Sequence, residues 1–190
     1  QIIRSRDIFE AFNIPIYEKE GFEADDVLGT ITEQLKDEDV EIVIASGDMD
    51  TLQLVDNKKV QVYTLRKGLS DTVMYDEQAV KDRFGFVPKL LTDYKGLRGD
   101  PSDNIIGISG IGEKTATTLV QEFGTIEHLY EVLKKDELVF VEKGIKPRII
   151  QLLKDGEEEA EFSKTLATIR RNVPISFTLP PKKWAEAFDI

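Results

Sequence analysis

The sequence predicts an α/β fold, with a parallel or mixed β-sheet flanked by helices, followed by a helical subdomain. Three observations carry this expectation. Helical and strand patterns alternate up to Asp76. Beyond that point the periodic segments are helical. At 190 residues, the chain is long enough to bury the core of one main domain with a subdomain.

Taken in order, "RDIFEAFNI" has helical spacing, "IPIY" is extended and "EADDVLGTITEQL" is helical again. "VEIVIASG" is a β-branched run of the kind found in buried strands, and the short helix "DTLQLV" follows it. "VQVYTLRKGLSDTVMYDE" reads as two strands around Lys67 and Gly68, a hairpin or strand pair near the sheet's edge. Helices are then predicted at "DEQAVKDRF", "PKLLTDYKGL", "EKTATTLVQEF", "TIEHLYEVLKK" and "EEEAEFSKTLATI". "VPISFTLPPKKW" has too many prolines for a helix and reads as the start of a linker. The expected division is an α/β core over residues 1–98, a helical subdomain over 99–175 and a tail or linker over 176–190. No repeat of fixed period is visible, and "EEEAE" is expected on the solvated face of a helix.

Composition narrows the chemistry. The absence of cysteine excludes disulfides and thiolate metal sites, and a single histidine, His128, excludes a multi-histidine zinc site. Any metal must therefore be held by oxygen. No apolar run reaches the ~18 residues of a membrane span. The opening "QIIRSRDIFEAFNIPIYEKE" lacks the hydrophobic centre and cleavage site of a secretory signal. A soluble cytoplasmic chain with no membrane partner is expected. The net charge of −11, from 36 acidic and 25 basic residues, argues against nucleic acid when taken alone. Carboxylates gathered around divalent cations would nevertheless be neutralised where a phosphate sits. The placement of the acids therefore matters more than their number.

That placement is clustered. Glu23, Asp25 and Asp26 open a helix in "GFEADDVLGT", with Glu23 and Asp26 on one face. Acids at a helix N-terminus also cap free N–H groups, so a purely structural role competes here. Asp48 and Asp50 follow a strand in "EIVIASGDMDTLQLV". On extended backbone their spacing would point both carboxylates the same way, just beyond a strand's C-terminal end, where open α/β sheets place ligands. An Asp-rich turn capping the next helix is the alternative. Asp100 and Asp103 lie in the loop "KGLRGDPSDNIIG", which could equally be a capped turn. Together the three clusters suggest an all-oxygen site for Mg²⁺ or Mn²⁺. So many carboxylates would suit two ions about 4 Å apart, the arrangement that cleaves phosphodiesters.

"GISGIGEKTATTLVQEF" follows directly, with Gly107, Gly110 and Gly112 opening a helix that carries Lys114 and Thr115. Glycines let backbone N–H groups approach a phosphate, the helix N-terminus favours an anion and Lys114 adds a positive charge. The Walker spacing is absent. An ordinary Gly-rich helix–helix turn is the competing reading.

"FEADD", "SGDMDTLQL", "RKGLSDT", "GDPSDNIIGISGIGEKTA" and "LATIRRNVP", in this order and spacing, resemble the 5′ nuclease domain of bacterial DNA polymerase I. That family is of the 5′-3′ exonuclease or flap endonuclease type, and the resemblance spans nearly the whole chain. It implies a PIN-like core and a helix-hairpin-helix subdomain. It also implies metal ligation by Glu23, Asp25, Asp26, Asp48, Asp50 and Asp103, with Asp100 on the adjoining motif acid. Asp25, Asp48 and Asp50 would be catalytic, and two Mg²⁺ or Mn²⁺ ions would serve hydrolysis. Residues 107–116, with Gly107, Gly110, Ile111, Gly112, Lys114 and Thr115, match the family's hairpin, which grips duplex DNA and binds K⁺ through main-chain oxygens.

The family's first strand with its metal-binding Asp, a second acidic ligand and a basic arch find no match, so a fragment that cleaves poorly is expected. The partners implied are 5′-flap, nicked or branched DNA, met in replication and repair, and a polymerase domain beyond Ile190, with the chain a monomer. A DNA-binding remnant without catalysis is the alternative reading. A PIN-like ribonuclease is a third, although it leaves the glycine hairpin unexplained.

Overall fold

The computed structural model of the chain describes residues 2–67, 71–183 and 186. Two compact units are formed, one from residues 1–38 with 170–190 and one from residues 39–169.

The first unit contains α1 (Ile2–Ala11) and α2 (Ala24–Gln34). The "IPIY" segment between them belongs to no helix or strand. The proline-rich segment read as the start of a linker begins along α2. Asp26, Thr30 and Gln34 are spaced by four, so they stack on one helical face. From there Asp26 Oδ1 accepts from the Arg170 N–H (2.8 Å), Thr30 Oγ1 from the Val173 N–H (3.0 Å) and Gln34 Oε1 from the Phe177 N–H (2.9 Å). Gln34 Nε2 donates in turn to the Ile175 carbonyl (2.9 Å). Residues 170–177 form no helix, Pro174 having no N–H to give one, and these side chains satisfy three of the segment's N–H groups instead.

The second unit begins with a three-stranded mixed sheet in the order β1 (Ile42–Ala45), β2 (Val60–Lys67) and β3 (Asp71–Tyr75). β1 runs parallel to β2, and β2 antiparallel to β3. The β2–β3 pair meets the expected strand pair around Lys67, while Gly68 lies outside the described residues. The "DTLQLV" segment is a 3-10 helix, Met49–Leu54, with Leu52 and Leu54 buried beside β2. α3 (Glu77–Phe84) packs on β3. The Asp76 carboxylate accepts from the Ala79 N–H (2.8 Å) and so caps its start.

The helical part follows as α4 (Leu91–Arg98), α5 (Glu113–Phe123), α6 (Ile126–Lys135), α7 (Leu138–Glu142), α8 (Pro147–Asp155) and α9 (Glu157–Ala167). The periodicity did not predict α7 and α8. α7 has only five residues, and α8 begins at Pro147 directly after the breaker sequence "KGIK".

α4 is central to this part. A Cβ on Gly96 would lie 2.6 Å from Ile126 Cδ1 and 2.9 Å from the Ala160 carbonyl oxygen, so glycine is what lets α6 and α9 approach. Beside it, buried Asp93 accepts from the Ile126 N–H (2.8 Å) and pairs with Lys164 (2.6 Å). Lys164 also reaches Glu127 (2.7 Å). Buried Gln53 takes the Ile169 N–H (2.9 Å) and gives Nε2–H to the Ala167 carbonyl (3.0 Å), tying the sheet region to the end of α9. Among the described residues, no helix is long and apolar enough to cross a membrane.

Candidate functional site

In the second unit, β1 delivers the chain to the turn at residues 46–48, where local hydrogen bonds decide which way each acid points. The Asp48 N–H donates to Ser46 Oγ (3.0 Å), and Asp48 Oδ1 accepts from the Asp50 N–H (2.9 Å). Asp48 is thus the N-cap of the 3-10 helix that contains Asp50. This differs from two carboxylates side by side on extended backbone. The chain turns immediately after Asp48, whose short side chain competes successfully for the first free N–H.

Asp50 lies instead with Asp100 and Asp103, whose carboxylate oxygens come within 4.8 Å of one another. Asp100 is set by its own turn. Its Oδ1 accepts from the Ser102 N–H (3.1 Å) and hydroxyl (2.5 Å), while its backbone pairs with Ile105 (2.8 and 2.9 Å). Between these acids sits the Lys95 ammonium, carried by α4. It bonds Asp50, lies 2.7 Å from Asp100 and approaches Asp103 at 3.8 Å.

The cluster titrates accordingly. Burial raises the Asp50 carboxyl above the usual range, only partly countered by Lys95, and repulsion from Asp48 and Asp103 adds to the rise. Burial opposes the charge on Asp100 too, but hydrogen bonds from Lys95 and Ser102 outweigh it and hold that carboxyl low. For Lys95, burial is outweighed by bonds to Asp100 and Asp50, so its ammonium is favoured. The sequence reading missed Lys95. A basic residue one turn before an acidic loop, in "KGLRGD", was the signal.

Glu23, Asp25 and Asp26 belong to the first unit, at the start of α2. Glu23 is exposed, while Asp25 and Asp26 are half-buried. Asp26 spends one oxygen on the Arg170 N–H (2.8 Å) and the other on the Glu23 N–H (3.3 Å). It therefore serves as a cap and clasp, the structural role that acids at a helix start also fill.

The glycine hairpin is built by backbone proximity. A Cβ on Gly107 would stand 2.1 Å from the Gly99 nitrogen, and one on Gly99 2.3 Å from the Ile106 oxygen, so the two strands of the loop touch backbone to backbone. Gly107 at φ +63° donates its N–H to Ser163 Oγ (3.0 Å), and the Ile108 N–H donates to the Leu97 carbonyl (2.9 Å). Ile108 and Ile111 are buried as anchors, leaving Gly110 (φ +93°), Gly112 and Lys114 exposed, with Thr115 half-buried. Gly112 is the extended N-cap of α5. Asp100, Asp103 and the hairpin are thus consecutive parts of the loop between α4 and α5, while Asp50 reaches the cluster from the 3-10 helix.

Two family descriptions divide the chain. Residues 1–85 match the 5′-3′ exonuclease N-terminal resolvase-like domain, and residues 86–188 match the 5′-3′ exonuclease C-terminal SAM fold. The chain belongs to the 5′-3′ exonuclease family.

Among curated relatives, it is similar to DNA polymerase I of Bacillus caldotenax, with 41% identity over 174 residues that cover 92% of this chain and 19% of that protein. DNA polymerase I of Caldicellulosiruptor bescii is 42% identical over 189 residues, covering 97% of this chain and 21% of that one. The chain thus spans about a fifth of the length of these relatives. In fold it is similar to T5 5′-exonuclease solved with zinc bound (TM-score 0.70, 24% identity, 85% of this chain and 56% of that one). It is also similar to the catalytic core of Rad2 in complex with DNA substrate (TM-score 0.56, 17% identity, 94% and 60%). These two likenesses concern the fold.

Proposed function

We propose that the chain is a divalent-metal-dependent 5′-3′ exonuclease and flap endonuclease domain acting on 5′-flap, nicked or branched DNA. The observation that carries this reading is the convergence of Asp50, Asp100 and Asp103 within 4.8 Å in a chain of this family. The donor set fits the ion, because carboxylate oxygens alone suit Mg²⁺ or Mn²⁺. The position also favours positive charge, since Lys95 already occupies it.

Bound divalent ions would supply the Lewis acidity for hydrolysis by water, lowering the water pKa and stabilising the leaving oxygen. Asp50, Asp100 and Asp103 would hold an ion. Asp48 would fix the turn that presents Asp50, and Ser102 would orient Asp100. On family resemblance, Glu23, Asp25, Asp26 and Asp48 are proposed as further ligands, with Asp25, Asp48 and Asp50 as the catalytic acids. The hairpin of Gly107, Gly110, Ile111 and Gly112, with Lys114 and Thr115, would take the duplex backbone, and its main-chain oxygens a K⁺ ion. The polymerase relatives support a polymerase domain as covalent partner. Work on replicating or damaged DNA in the cytoplasm, by a monomer, completes the reading.

Incubation with a 5′-flapped duplex and millimolar Mg²⁺ or Mn²⁺ tests this, with binding measured in parallel. Ion-dependent release of the flap, lost in Asp50→Asn and stronger on DNA than on RNA flaps, is expected. Binding without cleavage would favour the DNA-binding role without hydrolysis, and a chain that does neither refutes the reading.

A further inference from the structure

The hairpin before α5 has an internal counterpart before α8. Gly110-Ile111-Gly112-Glu113-Lys114 matches Gly144-Ile145-Lys146-Pro147-Arg148 in pattern. Gly110 and Gly144 both take positive φ (+93° and +76°), and the isoleucine after each is buried. The next residue of each is the extended N-cap of the following helix. Ala116 and Leu119 of α5 then match Ile150 and Leu153 of α8 as buried positions.

The two copies also pack reciprocally. The first hairpin lies on the end of α8, where a Cβ on Gly110 would meet Leu152 Cδ1 at 3.1 Å and one on Gly156 would meet Ile108 Cγ2 at 2.9 Å. The approach to the second hairpin lies on the end of α5. There Lys143 pairs with Glu122 (2.5 Å) and stands over the Phe123 ring (5.7 Å), which stacks on Phe140 at 4.1 Å. Each hairpin thus rests on the helix that follows the other, as an approximate two-fold repeat requires.

Charge follows the same repeat. Between Lys114 and Lys164, the cations Lys134, Lys143, Lys154 and Lys164 are each paired with an acid. Lys114, Lys135, Lys146 and Arg148 are exposed and have no acid within 4.0 Å among the described residues. Three of these unpaired cations are at hairpin mouths. In a chain with 36 acidic residues to 25 basic, neutralising partners abound, so cations left open at two matched places indicate an anionic partner from outside. Arg148 and Leu152 are four apart and share a face of α8. Arg148 therefore stands about one turn, ~5.4 Å, along α8 from the contact with the first hairpin. Duplex DNA presents a charge every ~1.7 Å of its axis, so one duplex can engage both mouths.

We propose that residues 144–148 form a second duplex grip, in which Lys146 and Arg148 contact backbone phosphates of the duplex held by the first hairpin. The inference rests on the DNA-binding reading above. Its test uses the whole chain and a blunt, fully paired duplex, with affinity measured across a KCl titration for parent, K114A, K146A/R148A and K135A.

The parent should bind. K146A/R148A should bind about 10- to 100-fold more weakly at low salt, equally for unrelated sequences. Its log–log salt slope should be shallower by about 1.8, since each phosphate left without its cation removes ~0.9. K135A should behave as the parent, and K146R/R148K should restore binding. An unchanged thermal melt of K146A/R148A would place the effect at the binding surface rather than in folding. If the parent and K146A/R148A share affinity and slope while K114A is weakened, the second grip is overturned and the DNA reading stands. If the parent does not bind the duplex, the DNA reading itself fails, and the second grip with it.

Discussion

Replacing Lys95 by methionine isolates the part played by its ammonium, because the apolar stem is kept while the charge is removed. The Lys95 side chain is 13% exposed, and those of Asp50 and Asp100 are 21% and 17%. At 2.7 Å and an effective dielectric of ~20, the attraction to Asp100 alone is about 6 kcal/mol before desolvation. Desolvation cancels much of this, and removing one partner from a fully buried pair costs about 3–5 kcal/mol.

The partial exposure here lowers that to about 2 kcal/mol, a fall in Tm of about 4–8 °C for a chain of this size. Divalent ion should close the gap, because in the variant it neutralises Asp50, Asp100 and Asp103 without displacing an ammonium. Thermal melts of parent and K95M across a Mg²⁺ or Mn²⁺ titration measure both effects. The expected result is a lower Tm for K95M without ion and a larger ion-induced rise than in the parent. Equal melts without ion, or equal rises with it, would refute the view that Lys95 occupies the place of a cation.

Asp48→Ala should cost about 1 kcal/mol without ion through loss of the cap, while Asp48→Asn should be nearly neutral, as urea midpoints would report. Gly107→Ala should cost about 3 kcal/mol by forcing a Cβ into the Gly99 backbone, and the same unfolding assay reads it. Asp93→Ala should cost about 2–3 kcal/mol by stranding the Ile126 N–H, whereas Asp93→Asn keeps that acceptor and should cost less. Burial raises the Asp93 pKa against the pull of Lys164 and the Ile126 N–H. A raised carboxyl contributes fully below its unfolded pKa and loses that contribution as pH rises through the folded value. The stability gap between parent and D93N should therefore be widest at acid pH and narrow as pH rises past the usual carboxylate range, measured by urea unfolding at each pH.

What was legible in the sequence depended on the range of the interaction. The strand patterns of "VEIVIASG" and "VQVYTLRKGLSDTVMYDE" pointed to a parallel or mixed sheet, mixed in the structure, because side-chain period and hairpin pairing are local properties. The glycines at 107 and 110 were readable as a tight turn for the same reason, since a positive φ at both and a backbone contact at Gly107 leave their mark on the residue itself. The acids were readable as clusters but not as partners. Asp48 and Asp50 are two residues apart, yet Asp48 closes its own turn while Asp50 joins Asp100 and Asp103. A carboxylate's direction is settled by which N–H groups lie within reach, and spacing on an assumed strand does not supply that.

Long-range pairings left still less trace. Nothing in "VPISFT" reveals that its N–H groups end on Thr30 and Gln34, although the four-residue spacing of these acceptors looks purposeful once the partner is known. Lys95 was hidden differently. In a helix pattern a lysine reads as solvated surface, and only the packing of α4 behind the loop of residues 99–104 turns its ammonium inward. The same physical fact makes it the most informative residue of the site. An ammonium drawn in among three carboxylates marks a position that favours positive charge, and removing it leaves those acids without their cation. A divalent ion at that position, as proposed above, would match the oxygen donors and the concentrated negative charge.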